Sequence, residues 1–347
     1  MNLARRILAA VAVHRRKTVA LVVLIAVLTG LFFFRYATLP IGDASLVRIV
    51  DIPKGSGFFR ITEILKDAGL VHNRPFFWTL AIVKGAAKTI RAGEYELTGS
   101  MSPAQIIEKL VRGEIKSYWV TLPEDITMNE IAKRLTALNL INEREFFDLG
   151  TDRSFLASLG IEAESIEGYL FPETYQLNRS MTTREVVRII VRQFWKGITP
   201  EMSKRAEQMG FTLHEWVTLA SLIGKEAGNR EEKTLISAVF HNRLAQGMRL
   251  QSDPTAVYHL EKEGTPVKTI RRKHLALDSP YNTYRINGLP PGPIANPGVD
   301  SLRAALHPDR VGYLYFVSTN DGSHHFSTTL DAHRKAVAKY QINKRKK

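Results

Sequence analysis

The longest uninterrupted run of apolar side chains lies near the N-terminus. Seventeen residues from Thr18 to Phe34 read TVALVVLIAVLTGLFFF without a charge, between Lys17 and Arg35. As a helix they would cover about 26 Å, close to the thickness of a hydrocarbon core. We therefore predict a membrane-spanning helix over residues 18–36. A cleaved signal peptide is the alternative, disfavoured by the three bulky phenylalanines where a small-x-small site would be needed. A buried core helix is a second alternative.

A weak repeat with an offset of 70 residues follows this run. The matching positions are Ile52-Pro53 with Leu122-Pro123, Ile61 with Ile131, Leu65 with Leu135, Leu70-Val71 with Leu140-Ile141, and Phe76-Phe77 with Phe146-Phe147. Each copy predicts a short strand, a Pro turn, an amphipathic helix and a second short helix. Chance agreement among common residues is the other explanation.

The first copy leads into the pattern of a small α+β module. Residues 93–97 (GEYEL) predict a returning strand. Ser102-Pro103 predicts the start of a helix that runs through Leu110, because Ser caps helices and Pro suits the first turn. We therefore predict a compact α+β domain over 46–115.

A later helix carries the most informative carboxyl group. Thr212 and Glu215 have the spacing of a capping box, so they predict a helix that starts there and ends near Gly228-Asn229. Its buried stripe is formed by Trp216, Leu219, Ala220, Ile223 and Ala227. Glu226 lies within about 20° of that stripe, which points its side chain inward.

An inward carboxyl group has two explanations. Desolvation next to a cleft would raise the pKa of Glu226 toward the range that is useful to a general acid. Alternatively, Glu226 forms a structural ion pair, for which Arg243 and Arg249 are candidates. Spacing alone favours the ion pair.

Charge and composition narrow the function classes. Residues 1–17 and 339–347 each carry five Lys or Arg and no acid, and taking these ten from the formal charge of +14 leaves +4 for residues 18–338. A basic nucleic-acid-binding face is therefore not indicated. The charge before the apolar run predicts a cytoplasmic N-terminal stub over 1–17 and an extracytoplasmic remainder, with 339–347 as a basic tail.

Metal and thiol chemistry find no support in the sequence. The chain has no cysteine, which excludes disulfides and thiolate nucleophiles. His324 and His325 are adjacent, so on a strand their side chains would point to opposite faces, and no carboxylate spacing accompanies them. We predict no metal site.

Several long motifs resemble the YceG/MltG family of endolytic murein transglycosylases. They are IPKG with RAGEYELTGSMSPAQIIEKLVRG, EGYLFPETY from Glu167, LASLIGKEAGNREEKTLISAVFHNRLAQGMRLQSDPTAVY from Leu219, and SPYNTYRINGLPPGPIANPG from Ser279. The resemblance implies an α+β fold with a LysM-like α+β domain over 46–115 and a YceG-like α+β catalytic domain over 116–338. The family's E-K-E run reads Gly224-Lys225-Glu226 here, so Glu226 matches the catalytic second Glu. The usual Asp of LFPDTY is Glu173.

The resemblance also implies a site and a chemistry. The residues expected to bind substrate are Glu167, Tyr169, Gln251, Ser252, Asp253, Tyr281, Asn282, Thr283 and Asn296. Glu226 would serve as acid and then base while the C6 hydroxyl of the muramic acid attacks C1, without any cofactor. The expected partners are nascent peptidoglycan strands, the inner membrane and cell-wall synthases. A non-catalytic glycan-binding scaffold and a true murein hydrolase remain the alternatives.

Overall fold

A computed structural model describes residues 2–342, with side chains from residue 14 onward. Most of the predicted basic tail, residues 343–347, lies outside the described residues. The chain forms two compact units, one of residues 1–117 with 178–180 and one of residues 118–177 with 181–347. Both units combine helices with short antiparallel strand pairs, so the predicted α+β class is confirmed. The LysM-like identity of residues 46–115 stays a prediction.

The first unit has a two-stranded sheet covered by helices. Its elements are α1 (Asn2–Thr38), β1 (Val47–Ile52), α2 (Phe58–Asp67), α3 (Arg74–Val83), β2 (Gly93–Thr98) and α4 (Pro103–Arg112). β1 and β2 pair antiparallel along their whole length. α4 begins as the sequence predicts, because Ser102 and Gln105 form a reciprocal capping box before Pro103.

α1 is much longer than the other helices of this unit. Its part from His14 to Thr38 is long and apolar enough to cross a membrane. The apolar side chains from Val19 to Phe32 are exposed, whereas Ala37 in the last turn is buried in the core of the unit. The apolar helix thus continues directly into the folded unit without a flexible connection.

The second unit is mostly helical. Its helices are α5 (Met128–Ala137), α6 (Glu143–Thr151), α7 (Arg153–Ser158), α8 (Thr183–Gly197), α9 (Pro200–Gln208), α10 (Leu213–Glu226), α11 (Lys233–Ala245), α12 (Asp253–Lys262), α13 (Arg272–Leu275), α14 (Val299–Leu306) and α15 (Leu330–Val337), followed by a π-helical segment (Ala338–Ile342). Its strands are β3 (Tyr118–Thr121), β4 (Thr174–Leu177), β5 (Tyr315–Ser318) and β6 (His324–Ser327), which pair antiparallel as β3–β4 and β5–β6.

The repeat with an offset of 70 residues is visible in both units. α2 and α5 begin and end 70 residues apart, and each follows a short strand and precedes a second helix. The aligned apolar positions Ile61 and Ile131, like Leu65 and Leu135, are buried in their respective cores. The predicted strand-turn-helix-helix pattern is therefore confirmed in each unit.

α10 lies at the centre of the second unit. Every residue from Trp216 to Gly224 is buried, and α14 packs against the helix. The Trp216 indole N–H donates to the Leu302 carbonyl oxygen over 2.8 Å. A helix that is buried on every side belongs in a core, where packing rather than propensity holds it. This burial fixes the position of the residues at its C-terminal end.

Candidate active site

Glu226 is the last residue of α10. The helix begins at the capping box of Thr212 and Glu215, as predicted, but it ends two residues before Gly228 because Ala227 has an extended backbone. The side chain of Asn229 donates to the Gly322 carbonyl oxygen over 3.0 Å in the turn between β5 and β6. This tertiary contact turns the chain away from the helix axis, and the Glu226 carboxyl group stands at the end of a rigid helix.

The carboxyl group opens into a cleft of about 460 Å³. The cleft is formed by the end of α10, α11, the loop before α12, the β5–β6 hairpin, α15 and the π-helical segment. Its polar lining includes Glu226, Arg243, Gln251, Asp253, Tyr284, His324, His333 and Gln341. A wall with this many donors and acceptors suits a polyhydroxylated ligand such as a sugar.

Ser252 is the direct partner of the Glu226 carboxyl group. Its hydroxyl donates to Glu226 Oε1 over 2.6 Å. Ser252 stands at the N-cap of α12, yet its side chain makes no capping bond. Its backbone N–H instead donates to Thr283 Oγ1 over 2.9 Å, and the Gln251 N–H donates to the Thr283 carbonyl oxygen. Thr283, a predicted site residue, thus holds the segment that places Ser252.

The environment sets the protonation of Glu226. Burial raises the pKa of its carboxyl group to about 7, and the nearby Asp253 carboxylate acts in the same direction. The hydrogen bond from Ser252, the Asp253 amide and the Arg243 guanidinium favour the charged form and act in the opposite direction. A carboxyl group with a pKa near neutrality can both give and take a proton at physiological pH.

Arg243 does not form the structural ion pair that spacing alone favours for Glu226. Its guanidinium donates to the carbonyl oxygens of Leu250 at 2.6 Å and of Leu314 at 2.7 Å. It also lies over the ring of Tyr315, 5.3 Å from the centroid. The guanidinium is therefore held by backbone and aromatic groups, so it contributes positive charge to the cleft without directly neutralising the carboxylate.

Asp253 shares the cleft with Glu226 and accepts a hydrogen bond from the Tyr284 hydroxyl. It occupies the first turn of α12, where the helix dipole favours a carboxylate. Tyr284 belongs to the run 281–284, a loop whose sequence offers amides, hydroxyls and aromatic faces to a sugar, although Tyr284 itself is not one of the predicted binding residues.

His324 and Glu232 form a pair that the sequence analysis missed. The His324 backbone N–H and its Nδ1 both lie 2.8 Å from the Glu232 carboxylate, while the ring lines the cleft. The prediction that His324 and His325 point to opposite faces is confirmed, since His325 is exposed. Glu232 lies in a charged run that reads as a solvated surface in the sequence, whereas its side chain is buried because the β5–β6 hairpin covers it.

Glu167 and Asn296 lie in a buried polar cluster away from the Glu226 cleft lining. The Glu167 carboxyl group accepts from the Met128 amide at 2.9 Å, from the Asn296 amide group at 2.6 Å and from the Tyr258 hydroxyl at 3.1 Å. Burial raises the pKa of Glu167 to about 7 against these three hydrogen bonds. The cluster joins the start of α5, α12 and the loop before α14.

The remaining predicted residues also lie outside the lining of the Glu226 cleft. Tyr169 is buried, and its hydroxyl lies 3.1 Å from His214 Nδ1. Asn282 is buried and donates to the Leu277 carbonyl oxygen over 2.7 Å, which fixes the loop that carries Thr283. Tyr281 lines a second cavity of about 350 Å³ together with Glu167. Of the predicted residues, Gln251 and Asp253 line the Glu226 cleft, and Ser252 bonds directly to Glu226. Thr283 acts on Glu226 only through Ser252, and the others do not reach this cleft.

No group of three or more His, Asp or Glu side chains within residues 2–342 is placed to hold a metal ion. The cleft offers two carboxyl groups, one of which accepts from a hydroxyl donor, and a fixed cation. That set suits proton transfer to and from oxygen.

The sequence is similar to known proteins over most of its length. It matches the model of the YceG-like family over residues 50–339. An endolytic murein transglycosylase of Bacillus subtilis (strain 168) is 33% identical over 324 residues, which cover 88% of each chain. An endolytic murein transglycosylase of Streptococcus pneumoniae (strain D39) is 30% identical over 352 residues, which cover 91% of this chain and 63% of that longer protein. A crystal structure of a yceG-like protein from Listeria monocytogenes aligns with a TM-score of 0.58 at 33% identity, covering 84% of this chain and 99% of that chain.

Proposed function

Because this chain belongs to the YceG-like family, we propose that it is an endolytic murein transglycosylase whose acid and base is Glu226. The observation that carries the proposal is the position of Glu226, a carboxyl group with a pKa of about 7 at the wall of a polar cleft. The relatives from Bacillus subtilis and Streptococcus pneumoniae are both endolytic murein transglycosylases, which supports a lyase that acts on peptidoglycan.

The mechanism follows from one carboxyl group that works twice. Protonated Glu226 donates its proton to the glycosidic oxygen between MurNAc and GlcNAc as the C1–O bond breaks. The C6 hydroxyl of the same MurNAc attacks C1, and the Glu226 carboxylate takes the hydroxyl proton. Atoms and charge balance without water, and the products are a 1,6-anhydroMurNAc end and a free GlcNAc 4-hydroxyl. The proton transfers leave Glu226 ready for the next cut.

Ser252 and the other cleft residues support this cycle. The Ser252 hydroxyl donates to Glu226 Oε1 and leaves Oε2 as the oxygen that would face the substrate. Gln251, Asp253 and Tyr284 would bind sugar hydroxyls from the same wall. The Arg243 guanidinium stabilises the carboxylate that remains after the first proton transfer. Glu167 and Tyr281 would meet a glycan strand only at the second cavity.

A true hydrolase is the second candidate, and one observation favours it. Asp253 places a second carboxylate in the cleft, and ordinary glycosidases use two carboxyl groups to activate water or form a covalent intermediate. The Tyr284 hydroxyl donates a hydrogen bond to the Asp253 carboxylate, which makes Asp253 a weaker base. Hydrolysis would leave reducing MurNAc ends, so the products separate the two candidates.

The first unit serves as anchor and glycan-binding part in this proposal. α1 would span the inner membrane once with the N-terminus in the cytoplasm, which places both folded units outside. The domain over 46–115 would bind murein, and cell-wall synthases would be partners. A reporter that is active only outside the cytoplasm should work when it is fused at the C-terminus.

The decisive experiment identifies the glycan ends. Purified protein is incubated with murein, and the released fragments are analysed by mass spectrometry. We expect internal cuts that yield 1,6-anhydroMurNAc ends, which are lighter than reducing ends by one water. Reducing ends alone would establish the hydrolase, and uncut murein bound to folded protein would establish a glycan-binding scaffold.

A further inference from the structure

The exposed face of α3 in the first unit carries no charge. It consists of Pro75, Trp78, Thr79, Ile82 and Val83, and the exposed fractions of Trp78, Ile82 and Val83 are 55%, 54% and 73%. The opposite face of the helix is also apolar and packs into the core of the unit. A helix at the surface of a water-soluble domain has a polar outer face, so this one lacks a partner.

The only charged residue of α3 is Arg74, at its first position. Its guanidinium pairs with Glu63 on α2, so this charge is directed to a neighbour within the unit. The next charges along the chain are Lys84 and Lys88, both exposed just after the helix ends. The apolar face is thus bordered by cations, a pattern typical of segments that lie at an anionic lipid surface.

Contacts with α1 fix the level of this face. The ring of Phe76 on α3 lies 5.7 Å from the rings of Phe32 and Phe33 and 5.6 Å from that of Tyr36. The Tyr36 hydroxyl donates to the Asn73 carbonyl oxygen over 3.1 Å. α3 is therefore attached to α1 where its apolar run ends and aromatic side chains collect, which is the position of a membrane interface.

We propose that α3 lies beside α1 at the extracytoplasmic surface of the membrane that α1 crosses. Trp78, Ile82 and Val83 are inserted below the lipid headgroups there. The occupant of the face is the bilayer that α1 itself crosses, so this inference rests on the proposed anchoring. Trp78 supplies an amphipathic ring at headgroup level, and Lys84 and Lys88 meet anionic lipid phosphates. The first unit is then held to the membrane by two helices, which restricts its tilt and rotation.

Depth measurements on the full chain test this proposal. Because the chain has no cysteine, an introduced cysteine is the single site for a thiol-reactive label. Single cysteines replace Ile82, Lys66 and Val22 in separate variants, each is nitroxide-labelled, and the proteins are reconstituted in vesicles of phosphatidylethanolamine and phosphatidylglycerol. Power saturation with oxygen and a water-soluble nickel chelate reports depth. We expect the Ile82 label about 5–10 Å below the headgroup boundary. The label at Lys66, an exposed position of α2, should be in water and the Val22 label in hydrocarbon.

The three labels distinguish the possible failures. The Ile82 label could be as accessible to nickel as the Lys66 label while the Val22 label is in hydrocarbon. In that case α3 does not insert into the bilayer, but α1 still spans it. If all three labels are in water, the anchoring proposal fails together with this one. Trp78→Glu added to the Ile82→Cys variant should move the Ile82 label into water. The same change added to the Val22→Cys variant should leave the depth of the Val22 label unchanged. If Ile82→Cys does not fold, Val83→Cys replaces it, since that side chain is more exposed than those of Trp78 and Ile82.

Discussion

Ser252→Ala removes the one side-chain hydrogen bond that the structure gives Glu226 and leaves the surrounding backbone bonds in place. The hydroxyl donates to Glu226 Oε1 over 2.6 Å, whereas the Ser252 N–H and carbonyl oxygen bond independently to Thr283 and Thr255. Ser252 is fully buried at the start of α12, so the change removes one oxygen atom without opening the cleft. The variant therefore tests the protonation of Glu226 rather than the fold.

The direction and size of the effect follow from this bond. A hydrogen bond to a charged group contributes about 1.5–3 kcal/mol, and the protonated carboxyl group retains part of it. A remaining preference of about 1.4 kcal/mol for the carboxylate corresponds to one pH unit. Because the hydroxyl favours the charged form, its loss should raise the pKa of Glu226 above its value of about 7. The reaction begins with protonated Glu226, so activity declines as the pH rises through that pKa.

The assay is the rate of anhydromuramoyl product release at low substrate from pH 5 to pH 9. We expect the midpoint of the alkaline decline to move up by about one pH unit in Ser252→Ala. Ser237→Ala is the matched control, because Ser237 is equally buried on α11 and its hydroxyl has no hydrogen-bond partner among the described residues. An unchanged midpoint in folded Ser252→Ala, or a shift to lower pH, would refute the reasoning.

Two further predictions use matched pairs in the second unit. Glu232→Ala should lower the free energy of unfolding by about 1–3 kcal/mol, because two donors of His324 lose their acceptor, while Glu231→Ala at the exposed neighbouring position should change it by less than about 0.5 kcal/mol. Urea denaturation checks both, and equal effects would show that the buried pair is unimportant. Gly228→Ala should lower activity several-fold, since its Cβ would lie 2.3 Å from a backbone oxygen of the β5–β6 turn, whereas Gly312→Ala meets nothing within 4 Å. Wild-type activity in both variants would mean that the turn adapts freely.

Local patterns predicted much of the fold. Thr212 with Glu215, and Ser102 with Pro103, start helices where the sequence places them, because capping is decided within four residues. The sequence predicts an end of α10 two residues too late, since the extended Ala227 leads into a contact between Asn229 and the distant β5–β6 turn. Contacts across more than 90 residues leave no periodic signal in a single sequence.

The site was predicted only in part for the same reason. Ser252 and Asp253 could be linked to Glu226 through the family resemblance, whereas helical spacing alone favours an ion pair. Glu232 lies in a charged run that reads as solvated surface, yet the β5–β6 hairpin folds over it. Tyr169 is a core residue whose hydroxyl lies within hydrogen-bond distance of the half-buried His214. Burial by distant chain segments decided each of these outcomes.

The central claim is that Glu226 performs both proton transfers, and Glu226→Gln tests it most directly. Gln retains the size of the side chain and can still accept from Ser252, but it cannot transfer a proton. The measurement is mass spectrometry of anhydromuramoyl products from murein, with Glu215→Gln on the same helix as the control. We predict a loss of at least about 10² to 10⁴ in rate with an unchanged melting temperature, and nearly full activity in the control. Product release by folded Glu226→Gln near the wild-type rate would contradict the account.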